Sequence, residues 1–276
     1  MGQAAVGPRR RVLAGAGAMA ALACLPAGAA DLLATARARG TLRVAMEGSY
    51  PPFNFIDANT GQMRGYDADV ARLLATRLGL EAELLSVEWT DIFSGLAGGT
   101  YDLIVSQAII TPRRRQLVDF SEPYMYSRAQ LLLRKNDETR YSDLTDLKGK
   151  TVGVARNSFY EAQARSVPGI IVRSYPAAPE TLQDLAFGRI DAALNDSLLV
   201  AYLVNAATVP IRPGPLVGPE TQIGIAFPKG NPGFKAAMDS VLGRARADGS
   251  LASLSRKWFR VDASHPAQLK RPSARP

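Results

Sequence analysis

Gly99-Thr-Tyr-Asp-Leu-Ile-Val105 and Gly188-Arg-Ile-Asp-Ala-Ala-Leu194 are two versions of one phrase: a glycine, two residues, an aspartate and three apolar residues. Each closes a stretch in which short apolar runs alternate with helical periodicity, the pattern of βα units around a parallel sheet. In the first stretch 42–46, 84–87 and 103–105 read as strands. Between them a helix is expected with Asp67 as N-cap, carrying Val70, Leu73, Leu74 and Leu78 to a stop at Gly79, and a short one around Ile92, Phe93 and Leu96. The second stretch opens at Gly149-Lys-Thr-Val-Gly-Val154 and passes through a helix near 160–165, a strand at 170–172 and a helix ending at Phe187. Two βαβαβ units of like plan predict an α/β fold of two lobes. A later strand at 223–227 and a helix at 234–242 return most simply to the first lobe, which makes two chain crossings. The expected lobes are 31–127 with 224–260, and 128–223.

A chain of 276 residues, 47% of them hydrophobic, is long enough to bury two cores of ordinary size. Its formal charge of +8 is diffuse, and three of the positive charges, Arg9, Arg10 and Arg11, stand in a leader without acids. Clustered Lys and Arg with stacking aromatics between them, as a nucleic-acid surface requires, are missing from the sequence. Residues 1–30 have the three parts of an export signal: a basic start, an apolar run over 12–25 and small residues at 27–30. That run is too short to span a bilayer. The sole cysteine, Cys24, follows Ala21-Leu-Ala23, which lacks the leucine a lipoprotein signal places three residues earlier, so a soluble periplasmic protein is expected rather than a lipid-anchored one. Cleavage near Ala30 would leave a mature chain with no cysteine, held together by its core. The Pro-rich, basic stretch 261–276 is expected to be disordered.

In open α/β sheets ligands sit beyond the carboxyl ends of the strands, which here points to the loops at 46–53, 106–114, 156–159 and 195–196, and to Trp89. Six phrases in order then carry a resemblance over 40–259: Glu47-Gly-Ser-Tyr-Pro-Pro-Phe53, Gly65-Tyr-Asp-Ala-Asp69, Ile110-Thr-Pro-Arg-Arg-Arg-Gln-Leu-Val-Asp-Phe-Ser-Glu-Pro-Tyr124, Asp146-Leu-Lys-Gly-Lys150, the run from Gly188 to Asp196, and Asp248-Gly-Ser250 with Lys257-Trp-Phe259. The chain resembles the periplasmic solute-binding proteins of polar amino-acid ABC importers, which implies a type II periplasmic-binding-protein fold. Each lobe would be a mostly parallel sheet flanked by helices, and the lobes would close on an amino acid and deliver it to the importer's membrane subunits. A monomer without cofactor, metal or nucleic acid follows from the same likeness.

The resemblance selects one arginine of three. Thr-x-x-Arg in the family presents a single arginine to the ligand's α-carboxylate, and counting from Thr111 gives Arg114. Helical geometry agrees that one should differ. With Thr111 as N-cap and Pro112 at the first helical position, successive side chains point about 100° apart. A planar guanidinium also suits a carboxylate, because two parallel hydrogen bonds fix both charge and orientation. By the same likeness Asp196 matches the acid for the α-ammonium, Glu47 and Tyr50 the pocket's edge, and Trp89 an aromatic wall. Ser106, Gln107 and Ile109 fall in the ligand loop, while Ser158 and Phe159 stand at the second lobe's helix start, a place suited to an anion. Asp191 is read as structural, like its counterpart Asp102. Ile109 departs from the pattern, since relatives often carry a small hydroxyl residue there, and so does Asn157-Ser158 where Gly-Thr is usual. Ser106-Gln-Ala-Ile-Ile-Thr111 and Ala192-Ala-Leu-Asn-Asp196 look most like the branch that binds cystine and similar polar amino acids.

Two rival functions are weighed. Exported cyclohexadienyl dehydratases resemble these binding proteins, and such chemistry needs a positioned proton donor. Glu161 is the best candidate, although a first-turn Glu is also what a helix dipole favours. The only histidine, His265, lies past the last expected helix. A sensory module is the other rival, but nothing after Phe259 supplies a membrane span or a catalytic domain.

Overall fold

The computed structural model describes residues 1–3, 31–206 and 210–266. The expectations for most of the leader, for Cys24 and for 267–276 lie outside the described residues. From Asp31 onward the chain builds two five-stranded sheets of matching plan.

The first sheet has the order β5-β1-β6-β13-β7, from Glu81–Ser86 (β5), Thr41–Met46 (β1), Leu103–Ile104 (β6), Ala226–Phe227 (β13) and Asp119–Phe120 (β7). Strands β5, β1 and β6 are parallel, while β13 runs antiparallel to β6 and β7. The second sheet is β10-β9-β11-β8-β12: Ile171–Tyr175 (β10), Thr151–Ala155 (β9), Ala192–Asp196 (β11), Met125–Arg134 (β8) and Ile211–Ile223 (β12). Its first three strands are again parallel and its last two antiparallel. Each sheet is thus mostly parallel, with a single strand, β13 in the first and β8 in the second, running against the other four. Short strands Ser49–Tyr50 (β2), Asn54–Ile56 (β3) and Met63–Arg64 (β4) form a small third sheet after β1.

Both faces of the first sheet are covered. Val44 and Met46 face a core shared with Leu74 of helix α2 (Tyr66–Leu78) and Phe234 of α8 (Pro232–Ala247). Ala45 points the other way, with Ile104, Ala226 and Phe120, into a smaller core under Ile92 and Leu96 of α3 (Ile92–Ala97). Strands buried on two sides read as unbroken apolar runs, as Val44-Ala-Met46 and Leu103-Ile104 do, and each fully buried large side chain contributes about 1.5–3 kcal/mol. Helices α1 (Leu32–Arg39) and α9 (Ser250–Phe259) complete this lobe, and α4 (Pro112–Leu117) sits beside β7. The second sheet is flanked by α5 (Phe159–Arg165), α6 (Ala178–Ala186) and α7 (Ser197–Ala206).

The repeated Gly-x-x-Asp phrase has a physical explanation. Asp102 accepts a hydrogen bond from the backbone N–H of Arg43 at 2.8 Å, and Asp191 accepts one from that of Thr151 at 2.7 Å. In each lobe, therefore, the aspartate before the third strand ties down the start of the first. Asp102 is in addition ion-paired to Arg39 and Arg43.

Two expectations are corrected. Asp67 is not the N-cap of α2: Gly65 caps it, at φ 121°, and Asp67 lies in the first turn with its carboxylate fully buried. There it accepts hydrogen bonds from Tyr124 Oη at 2.7 Å and Asn54 Nδ2 at 2.8 Å. The tail expected from 261 begins with a packed segment. Ala263 and Ser264 are buried, and the Ala263 carbonyl accepts from the N–H of Tyr126 at 2.8 Å.

Candidate ligand-binding site

The chain crosses between lobes twice, after β7 and before β13, and the crossings are bonded to each other. The Ser121 N–H donates to Ile225 O at 3.0 Å, the Ile225 N–H to Ser121 Oγ at 3.0 Å and the Tyr124 N–H to Ile223 O at 2.9 Å. Beyond this hinge the carboxyl ends of the parallel strands of both lobes face one another across a narrow cavity. Its wall includes Glu47, Tyr50, Trp89, Ser106, Gln107, Ile109 and Arg114 from the first lobe. The second lobe supplies Ser158 and Phe159, Asn195 from the expected loop at 195–196, and three residues that sequence reasoning missed: Ala155, Tyr160 and Ala178.

Arg114 is placed by the first turn of α4. Thr111 caps that helix, its hydroxyl accepting from the Arg114 N–H at 3.2 Å, and Pro112 begins it. Arg113 and Arg115 are exposed, whereas the Arg114 guanidinium turns into the cavity beside the rings of Trp89 and Phe93, 5.2 and 5.0 Å from their centroids; the two rings meet edge to face. Its Nη1 donates to Ile109 O at 2.9 Å. No acid pairs with it among the described residues, and burial lowers its pKa to about 10, so it remains a cation. An uncompensated buried charge of this kind is costly and needs an anionic partner.

Asp196 is brought close to the cavity but does not form its wall. The carboxylate is fully buried and accepts from Ser127 Oγ at 2.8 Å, Leu198 N at 2.8 Å and Tyr160 Oη at 3.2 Å. Burial raises its pKa to about 6 against the lowering effect of these donors. Its neighbour Asn195 takes the cavity position, because successive residues of β11 point to opposite faces of the sheet. That alternation, read along Ala192–Asp196, was the signal available in the sequence.

Glu47 lies at the end of β1, its N–H donating to Ser106 Oγ at 3.1 Å and its Oε1 accepting from Ser49 Oγ at 3.1 Å. Burial raises its pKa to about 7; the Ser49 bond opposes this, and the charges of Glu88 and Glu180 add to it. Two hydrogen bonds join the lobes at the cavity's edge. Tyr50 Oη donates to Asn195 Oδ1, and Trp89 Nε1 donates to Arg156 O at 3.1 Å. Ser158 spends its hydroxyl capping α5, accepting from the Glu161 N–H at 3.0 Å. Glu161 itself is absent from the cavity wall, tied instead to Arg165, Ser174 and the Asn157 N–H.

Two lobes on a bonded hinge, closing over a cavity that holds one uncompensated arginine, define a solute-binding protein. Residues 42–261 match bacterial extracellular solute-binding proteins, family 3, and the chain belongs to that family. It is 36% identical over 234 residues to the L-cystine-binding protein TcyJ of Escherichia coli (strain K12), covering 84% of this chain and 88% of that one. It is 32% identical to the L-cystine-binding protein TcyA of Bacillus subtilis (strain 168), covering 85% and 87%. Among solved structures, the ancestral amino acid-binding protein AncCDT-1, a precursor of cyclohexadienyl dehydratase, superposes with a TM-score of 0.77 at 33% identity, over 82% of this chain and 99% of that one. An ancestral arginine-binding protein bound to arginine gives 0.74 at 32%, over 80% and 99%.

Proposed function

We propose that this chain captures a polar amino acid, L-cystine or one close to it in size and polarity, between its lobes and hands it to the membrane subunits of an ABC importer. The observation that carries this reading is the buried Arg114 guanidinium, set against two aromatic rings and lacking an acid partner, at the wall of an interlobe cavity. A ligand carboxylate is the partner that a planar, oriented cation of this kind recognises. The ten residues expected at the site, Glu47, Tyr50, Trp89, Ser106, Gln107, Ile109, Arg114, Ser158, Phe159 and Asp196, are proposed to contact or support the ligand. Arg114 takes the carboxylate, and the Asp196 side of the second lobe completes the pairing on closure. Lobes of 31–127 with 224–260, and of 128–223, belong to the same proposal, although β8 of the second sheet already begins at Met125.

The similarity to cystine-binding proteins of two bacteria favours cystine over arginine as the first ligand to try. Export through the leader and cleavage near Ala29 or Ala30 place the mature chain in the periplasm. Calorimetry with L-cystine tests the reading. Arg114→Ala should weaken binding about ten- to several-hundredfold, as the loss of a charge-assisted pair implies. Arg113→Ala and Arg115→Ala should leave affinity within a few-fold of the original. An Arg113 or Arg115 variant as damaging as Arg114→Ala would remove the single-arginine site.

A further inference from the structure

The narrow cavity is shut in different ways where it meets its two rims. Beside Arg114 the lobes are fastened, since the Trp89 indole that touches the guanidinium is bonded to Arg156 O of the second lobe at 3.1 Å. Elsewhere the wall is formed by Tyr50 of β2 and Ala178, the first residue of α6, and these two side chains also line a second, open groove outside the cavity. Tyr50 Oη is held by Asn195, which pins one edge of the ring, while Ala178 offers only a methyl group from the other lobe. One ring and one methyl group therefore separate the cavity from the groove.

The groove lies between the β2 turn of the first lobe and helices α6 and α7 of the second. Pro51, Leu182, Leu199 and Leu203 give it an apolar lining, Ser49, Glu180 and Gln183 are its polar groups, and it is lined by no lysine or arginine. Glu180 stands in the first turn of α6, close enough for its charge to act on Glu47 at the cavity edge. Apolar walls with a few placed polar groups are what a small-molecule site requires, and here the charged one is an acid. We propose that this groove is a second subsite, which takes the far end of an elongated amino acid whose carboxylate sits on Arg114: the side chain passes between Tyr50 and Ala178, lies along the leucines, and ends in an ammonium group beside Glu180. This inference rests on the amino-acid reading above and adds to it a preference for length and for positive charge at the distal end.

The test is calorimetry on the full chain with L-cystine and with S-(methylthio)-L-cysteine, which keeps one amino-acid end and the disulfide but stops at a methyl group. The unsubstituted chain should bind cystine about tenfold or more tightly than the shorter compound, as the loss of the groove contacts implies. Gln183→Trp, at an exposed position of α6, fills the groove and should cost about tenfold in cystine affinity while leaving the shorter compound within about threefold. Glu180→Gln, which changes no volume, should cost about two- to fivefold for cystine alone, the range for an exposed ion pair. An unsubstituted chain that binds the two compounds alike, or a Gln183→Trp chain that keeps its cystine affinity or loses both ligands equally, overturns the groove and leaves the amino-acid reading standing. Cystine affinity unchanged in Glu180→Gln removes the acid from the subsite. An unsubstituted chain that binds neither compound overturns the cystine reading and the groove with it.

Discussion

A guanidinium set against Trp89 and Phe93 and bonded to Ile109 O has much of its orientation settled before any ligand arrives, so less rotamer entropy is left to lose on binding. The buried carboxylates are the reverse case: Glu47, Asp67 and Asp196 are all held above their ordinary pKa values by burial. The sign of the resulting pH dependence follows from proton binding. The folded chain holds a proton on Glu47 up to about pH 7, whereas the unfolded chain releases it near 4.5. Stability therefore falls as pH rises from 4.5 through 7 and levels off above, with Asp67 and Asp196 adding a fall between 3.8 and about 6. Thermal melts of ligand-free Glu47→Gln should lose the upper part of this decline, and those of Asp196→Asn the lower part. A Glu47→Gln profile parallel to the unsubstituted one would show that Glu47 titrates normally. How far the site could be read from sequence also turns on single residues. Arg114 was legible because the family's Thr-x-x-Arg pattern, counted from Thr111, selects it, and the helical phase set by Thr111 and Pro112 agrees that one arginine of the three should differ. Tyr160 and Ala178 were not, since they reach the cavity from the starts of two second-lobe helices whose placement depends on how the lobes meet.

Among the elements, α2 shows what a single glycine position does. Gly65 adopts φ 121°, and a Cβ built there would lie 2.2 Å from Phe53 O. Gly65→Ala should therefore destabilise by more than the roughly 1–3 kcal/mol that the backbone conformation alone costs, read as a lower urea midpoint with an unchanged slope. An unchanged midpoint would mean that the loop at 53–54 moves aside freely. The longest strand, β12, is the element least visible in sequence. Ile-Arg-Pro-Gly-Pro-Leu-Val-Gly-Pro-Glu-Thr-Gln-Ile carries three prolines, which would exclude a central strand. It forms because β12 is the edge of its sheet, and its register with β8 shifts at Pro213/Leu216 and Val217/Glu220, where the irregular residues are absorbed. The βα repeat, by contrast, was legible because parallel strands buried on both faces leave unbroken apolar runs.

For the whole molecule, closure is held by few direct contacts between lobes at the cavity, so ligand contacts must supply most of the bias toward the closed form. Tyr50→Phe removes the donor to Asn195 and should weaken ligand binding by roughly two- to tenfold, the range for one neutral hydrogen bond. The ligand-saturated molecule should keep its compact small-angle scattering profile; a persistently open profile at saturation would mean that Tyr50 is essential to closure itself. Intact mass of exported protein should show a chain beginning close to Ala30 or Asp31. A species starting at a lipidated Cys24 would put it on a membrane surface instead. The packed segment after α9 has a practical consequence for anyone turning this molecule into an optical sensor. Because Ala263 is bonded to Tyr126 at the start of β8, a fluorophore attached just after His265 rides beside the rotation axis and travels little on closure. A dye pair on exposed Leu117 and Phe187, one in each lobe, lies off that axis and would register the motion as a change in energy transfer.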